Sequence, residues 1–495
     1  MLQRSSGVLM HISSLPENYG IGTFGKEAYL FVDFLRQAGQ SFWQVLPLCN
    51  VDGKGSPYSS YSTFAGNFCF IDLDILRDEG ILKGDDYKSL DWGRDEERLD
   101  FSKVIKNRLL VLKRAYFNCK EEIESDLINF IKENRWVKNY ALFMVLLEKN
   151  YYKAFWEWDE KFKNRNEDAL KRFEEENRDY INFWIFLQFK FFNQLEELKK
   201  YANRNKIKII GDLPIYVSGN SSDVWENPQN FCLNENKTPK KVSGCPPDAF
   251  SKDGQLWGNP VYDWDEMKKD GFSWWENRLK QYIKMYDYIR LDHFRGFDEY
   301  YEIDAKEKTA KNGVWKKGPG LLFFKEMEKK LGRLKIIAED LGFLTNSVKK
   351  LLKDVKFPGM QILEHSFDDK EKGEKRLPEE YEENRVLYIG THDNNTALGW
   401  FKGLDLKSKN NLMKYFKFKD EKDMNWKLIE ESMKTSCFVF IMQMQDILGI
   451  DEKGRMNVPG TIENNWSWRI KKNLNLDKEI KKLYDLTKST NRNFY

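Results

Sequence analysis

Tyr288-Ile-Arg-Leu-Asp292 is a short strand-forming run closed by an acid. A strand repeats every two residues, so Arg290 and Asp292 fall on one face. The construction recurs downstream. Lys335-Ile-Ile-Ala-Glu339 ends on Glu339, and Val386-Leu-Tyr-Ile-Gly-Thr-His-Asp393 ends on Asp393. Upstream, Ile209-Ile-Gly-Asp-Leu-Pro214 carries Asp212 in the same position. One such acid alone is explained by the hydrogen bonding of Asp in turns. A series of them at the ends of successive strand-like runs points to a parallel barrel, which gathers its chemistry at the C-terminal ends of its strands.

Working outward, apolar and often β-branched runs recur at 7–12, 42–48, 207–217, 285–294, 335–340, 360–367, 385–393 and 437–448. Helical segments separate most of them. In Glu27 to Ala38, for example, Leu30, Phe31, Phe34, Leu35 and Ala38 share helical spacing and Gly39 stops the helix. This alternation predicts an α/β fold, a (β/α)8 TIM barrel. The run 437–448 reads equally well as a helix. The long interval between the second and third runs predicts a strand at Phe68–Leu73 and an inserted, largely helical subdomain over 75–200, whose aromatics at helical spacing read as packing. A second insertion, 218–280, reads as loop-rich and is expected to line the active site. Residues 1–495 are read as one catalytic barrel domain, and the short stretch after Leu448 predicts no C-terminal β-sandwich.

The 81 Lys and Arg against 78 Asp and Glu leave a net charge of +3, which gives no support for nucleic acid or a membrane surface as partner. Six scattered cysteines form no C-x-x-C pair, so neither a zinc site nor a redox pair is signalled. The N-terminus lacks the apolar stretch of a signal peptide and no apolar run could span a bilayer, so a cytoplasmic location is expected. The 16 Trp and 23 Tyr, many beside Gly, Pro, Asn or Asp, suit a ligand with an apolar middle and a hydroxylated rim, as a sugar has.

Arg290 keeps a neighbouring carboxylate ionised, as a nucleophile requires. Three of the four histidines, His293, His365 and His392, fall at or near the ends of strand runs. Two carboxyls flanking a glycosidic bond are what sugar-transfer or hydrolytic chemistry needs. The set Gly211-Asp212, Arg290-x-Asp292, Glu339 and His392-Asp393 resembles the four short blocks of the α-amylase clan of glycoside hydrolases. The surrounding words are narrower and resemble the amylomaltase family of 4-α-glucanotransferases. They are Ser56-Pro-Tyr-Ser-Ser-Tyr-Ser62, Phe64-Ala-Gly-Asn67, Gly211-Asp-Leu-Pro-Ile-Tyr216, Pro246-Pro-Asp-Ala-Phe250, Gly254-Gln-Leu-Trp-Gly-Asn-Pro260, Asp292-His-Phe-Arg-Gly296, Ala338-Glu-Asp-Leu-Gly342, Thr391-His-Asp-Asn394 and Arg455-Met-Asn-Val-Pro-Gly460. The resemblance runs from about Gly7 to Trp468 and is weakest over 75–200.

The resemblance implies a transferase that moves α-1,4-glucan segments from malto-oligosaccharides, or from starch- or glycogen-derived glucans, to the 4-hydroxyl of glucose, maltose or another glucan. Asp292 would be the nucleophile of a retaining double displacement, Glu339 the acid and base, and Asp393 the holder of the reacting sugar. Arg290 and His392 would support them, and Tyr58, Asp212, Trp257, Asp368 and Asn457 would complete the sugar site. No metal or organic cofactor is implied. The alternative is a retaining α-1,4-glucan hydrolase of the same clan. Trp257, with Tyr262 and Trp264, and the Tyr58 and Tyr61 pair are expected to offer ring platforms to the glucan.

Overall fold

The computed structural model describes residues 2–51, 55–247, 252–342, 344–368 and 376–492. Among them the chain forms twelve strands: β1 (Ser5–Leu9), β2 (Phe42–Gln44), β3 (Lys208–Leu213), β4 (Lys241–Cys245), β5 (Gln255–Pro260), β6 (Tyr288–Leu291), β7 (Glu299–Asp304), β8 (Val314–Lys317), β9 (Ile336–Ala338), β10 (Gly359–Ile362), β11 (Arg385–Tyr388) and β12 (Val439–Gln443). Strands β1, β2, β3, β6, β9, β10, β11 and β12 close in that order into a parallel barrel. Each of the eight apolar runs overlaps one of them. The run 437–448 is both things at once, a strand to Gln443 and then a helix, Met444–Leu448.

Period-two alternation sorts the barrel side chains. Leu9, Phe42, Ile210, Ile337, Val386 and Ile441 belong to one buried cluster, which fills the interior. Their strand neighbours Val8, Trp43, Ile209, Leu387 and Phe440 belong to another, beneath the surrounding helices; Trp43, for example, meets Phe31 of the helix Lys26–Gln37 with ring centroids 4.9 Å apart. Asp212 lies two residues beyond Ile210 and pairs in register with Arg290, so both side chains point into the barrel near its upper rim.

Residues 75–200 contribute a series of helices, of which Phe101–Cys119, Trp136–Lys149 and Arg178–Arg204 are the longest. The last delivers the chain to β3. Its Trp184, Phe186 and Phe191 are buried in the core. Phe68–Leu73 is not a strand, as the sequence suggested, but a 3-10 turn, Phe68–Phe70, followed by a helix from Leu73. The Asn67 and Asp72 side chains accept hydrogen bonds from backbone N–H groups at the start of each, and these caps override the β-branched and aromatic character of the run.

The 218–280 insertion holds more regular structure than its Gly, Pro and Trp content suggested. It supplies β4 and β5, which join β7 and β8 in an antiparallel sheet of order β5-β4-β7-β8. It also supplies most of the helix Ser273–Met285. On that helix the buried Arg278 donates to the carbonyls of Pro214 and Ile215 and to the Thr63 hydroxyl, tying the turn after β3 to the Tyr-rich loop after β2. Asp248 to Phe250, part of one sequence word quoted above, lie outside the described residues. Among the described residues no helix is long and apolar enough to cross a membrane.

The loop after β2 is held from the other side by Gln188. Its amide donates to the Gly66 carbonyl at 3.0 Å and accepts from the Gly66 N–H at 2.7 Å. Substituting Gln188→Leu keeps the bulk and leaves both Gly66 groups buried without partners. A buried orphan of this kind costs about 1–3 kcal/mol, so urea unfolding should show a loss of about 2–6 kcal/mol from the pair.

Candidate active site

One guanidinium organises the upper rim of the barrel. Arg290 is 2% exposed, with its Nη1 2.8 and 2.7 Å from the two Asp212 oxygens and 3.0 Å from Asp292 Oδ1. Its Nη2 donates to Glu339 Oε2 at 3.2 Å. Three carboxylates from three adjacent strands therefore share one cation. Burial alone would lower the pKa of Arg290, but Asp212, Tyr58, Glu339 and Asp292 outweigh it and keep the guanidinium charged.

The carboxyls differ in setting. Asp212 is fully buried, whereas the Asp292 and Glu339 side chains remain 25% and 17% exposed. Burial pushes Glu339 well above the usual carboxylate range; Asp292 adds to the effect, while Arg290 and the His293 N–H oppose it without cancelling it. The His293 N–H donates to Glu339 Oε2 at 2.7 Å. It can do so because His293 takes a left-handed backbone conformation, φ 47°, which costs a non-glycine residue about 1–2 kcal/mol. Burial also lowers the His293 ring to about 4, so the imidazole is neutral near pH 7.

A second arm of the network runs through Tyr58, His392 and Asp393. The Tyr58 hydroxyl donates to Asp212 Oδ2 at 2.9 Å and lies 2.8 Å from His392 Nε2. A hydroxyl has one proton to give, so this arrangement places the imidazole proton on Nε2, facing the phenol oxygen and, at 3.4 Å, Asp393 Oδ2. Asn457 Nδ2 donates to Asp393 Oδ1 at 2.7 Å. Arg455 fixes the backbone around them, donating to the carbonyls of Asn457 and Asp393 at 2.7 and 2.9 Å. Loss of solvent alone would raise Asp393; His392, the Asn457 amide, Arg290 and Arg455 outweigh it and hold the carboxyl below the usual range.

The structure thus gathers Tyr58, Asp212, Arg290, Asp292, Glu339, His392, Asp393 and Asn457 into one connected set. Trp257 adjoins it. The indole is 37% exposed and meets the His293 ring edge-on at 4.9 Å. Asp368 lines a cleft of about 500 Å³ that it shares with Asp393, Asn395, Trp400 and Arg455. Two ring expectations need correction. Tyr58 turns its hydroxyl inward to Asp212 instead of standing clear as a platform, and its ring stacks on His392. Tyr262 and Trp264 are buried, Tyr262 with its hydroxyl on the Ile215 carbonyl, and are packed among aromatic neighbours. Sequence reasoning did not single out Arg455, although it opens the word that contains Asn457. It also did not single out Trp466, whose ring lies 5.6 Å from Tyr58 and 6.0 Å from His392.

A (β/α)8 barrel carrying buried and half-buried carboxylates around an arginine at its strand ends can set two carboxyls on either side of a glycosidic bond. Comparison narrows the chemistry. The family model described as 4-alpha-glucanotransferase matches residues 10–475, and the chain belongs to that family. A 4-alpha-glucanotransferase of Clostridium butyricum is 45% identical over 482 residues, covering 97% of this chain and 99% of its own. One from Aquifex aeolicus is 44% identical over 487 residues, covering 97% and 98%. The solved amylomaltase from Streptococcus agalactiae, in complex with acarbose, superposes with a TM-score of 0.96 at 41% identity, covering 99% of this chain and all of that one.

The loop bearing Asp393 is braced by β12 and the helix after it. Gln443 donates to the Asn395 carbonyl, and Asp446 accepts the Ala397 N–H at 2.7 Å. Burial raises the Asp446 carboxyl from 3.8 to about 7. Between those values the folded chain keeps a proton that the unfolded chain has lost, so this group's stabilising contribution falls as pH rises through the window. Asp446→Asn should remove that dependence. The pH slope of unfolding free energy should become more positive by up to about 1.4 kcal/mol per pH unit below neutrality, measured by denaturant titration at a series of pH values.

Proposed function

We propose that this 4-α-glucanotransferase works by a retaining double displacement on α-1,4-glucans. An Asp292 oxygen attacks the anomeric carbon of the donor while Glu339 gives its proton to the departing glycosidic oxygen. The donor segment is then held as a glycosyl ester of Asp292, and the shortened glucan leaves. In the second half, the Glu339 carboxylate takes the proton from the acceptor 4-hydroxyl, whose oxygen attacks the same carbon and displaces Asp292. Two inversions restore the α-linkage.

The observation that carries this assignment is the difference between two carboxyls on one guanidinium. Burial pushes Glu339 up, which favours the protonated form that an acid needs. Asp292 Oδ1 accepts from Arg290 Nη1 at 3.0 Å and its side chain stays 25% exposed, open to an incoming donor. Asp393, held ionised, is suited to accept hydrogen bonds from the 2- and 3-hydroxyls of the reacting sugar, with Asp212, Tyr58, Arg290, His392 and Asn457 fixing its surroundings. Trp257 offers a half-open ring to the glucan, and Asp368 lines the cleft along which a longer chain would lie. Malto-oligosaccharides or starch- or glycogen-derived chains are the donors in this reading, and glucose, maltose or another glucan the acceptor. We read residues 1–495 as one catalytic domain, with 75–200 as a helical insertion and 218–280 as a wall of the active site. Six cysteines, none of them in a disulfide among the described residues, support a cytoplasmic setting. Hydrolysis, the alternative, is not favoured by the family to which the chain belongs.

Three measurements test the proposal. Incubation with maltotriose should give glucose and a ladder of longer glucans, whereas free reducing ends made for every bond broken would mean hydrolysis. Glu339→Gln should fail on maltotriose yet react once with an α-glucosyl fluoride, whose leaving group needs little protonation, and then stall with one glucosyl unit on Asp292, seen by mass spectrometry. An adduct on another residue, or one that persists in Asp292→Asn, overturns the roles. Finally, because the acid must be protonated, kcat/KM on maltotriose should fall as pH rises through the raised Glu339 pKa, and this alkaline limb should weaken with the fluoride donor.

A further inference from the structure

At the opposite end of the barrel from the carboxylates, Arg36, Arg204, Lys206 and Lys488 line an open cavity of about 400 Å³ with Tyr484 and Gly39. Arg36 ends the helix before β2, Arg204 ends the helix before β3, and Lys488 lies in the last turn of the helix Asp477–Ser489. No carboxylate is among the lining residues. The nearest acids on these helices are engaged elsewhere: Asp33 accepts the Tyr201 hydroxyl at 2.9 Å, and Asp485 pairs with Lys481 at 3.0 Å. Arg36, Arg204 and Lys488 have no ion-pair partner among the described residues.

A structural explanation is available, since cations are favoured at helix C-termini. Its magnitude is too small. Each helix end carries roughly half a negative charge, so three ends offset about one and a half of the three charges on Arg36, Arg204 and Lys488. About one and a half remain. A phosphomonoester carries about −1.5 to −2 near pH 7, and the cavity volume falls in the range of small-molecule sites. Guanidinium groups pair with phosphate oxygens two at a time. Tyr484, 44% exposed, presents a ring edge or face beside them.

We propose that this cavity binds the phosphate group of a small phosphomonoester, with Tyr484 against the body of the ligand, at a site remote from the glucan cleft. The cations are solvent-exposed, so the attraction is screened over a Debye length of about 8 Å at physiological salt. Binding is accordingly weak and salt-dependent.

The test is calorimetric titration of the full chain with glucose 6-phosphate in low-salt buffer, with glucose as control. Saturable binding that weakens about tenfold or more in Arg36→Ala/Arg204→Ala, and again on adding salt, supports the site. Activity of that variant on maltotriose should be unchanged, which also shows that it folds. The proposal is overturned if glucose 6-phosphate does not bind at millimolar concentration, if the double variant binds it as well as the parent, if glucose binds equally, or if maltotriose displaces it.

Discussion

The Arg290 guanidinium is the constraint on which the site depends. It lies inside the barrel because strand periodicity puts it there, and burying it uncompensated would be prohibitive. Compensation comes from β3, from the end of its own strand β6 and from the end of β9, and those are the side chains that carry the chemistry. The same arrangement that makes a buried cation tolerable fixes two carboxyls on one planar fork. Desolvation then acts on the deeper of the two: Glu339 is 17% exposed against 25% for Asp292, and burial pushes its carboxyl up against the opposing pull of Arg290 and the His293 N–H.

Much of this was legible in the sequence because barrel strands leave a strong imprint. Asp292 and Arg290 read as one face because their spacing is two, and Asp212, Glu339 and Asp393 each follow an apolar run. What was not legible depends on contacts between distant segments. Tyr58 sits in a Ser- and Gly-rich loop, where an exposed ring is the natural reading. Its inward turn is set by Asp212 and His392, 154 and 334 residues away. Phe68–Leu73 has the composition of a strand, and two side-chain caps make it a turn and a helix. The antiparallel sheet escaped notice because its strands come from two separate crossovers, neither of which can bury a face alone.

The left-handed backbone of His293 joins the two levels. A residue with a side chain accepts an unfavourable conformation immediately after the nucleophile candidate, and the result is one N–H aimed at the neighbouring acid. Local strain is tolerated where the surroundings over-determine it. Here Phe294 and Phe297 are fully buried on the following turn, and Trp257 closes on the His293 ring. Aromatic packing that contributes to stability thereby also sets a proton's environment.

The four-stranded sheet has a consequence for how such a barrel can diversify. Strands β4 and β5 leave from the end of β3, and β7 and β8 leave from the end of β6, yet they hydrogen-bond into a single sheet. The wall that carries Trp257 is therefore inherited from two loops that must match each other's register. Exchanging either crossover with that of a distant relative would leave half a sheet with unpaired edges, so variation in this wall has to travel as a linked pair. A graft intended to change which acceptor the barrel accommodates would have to take both segments from the same parent.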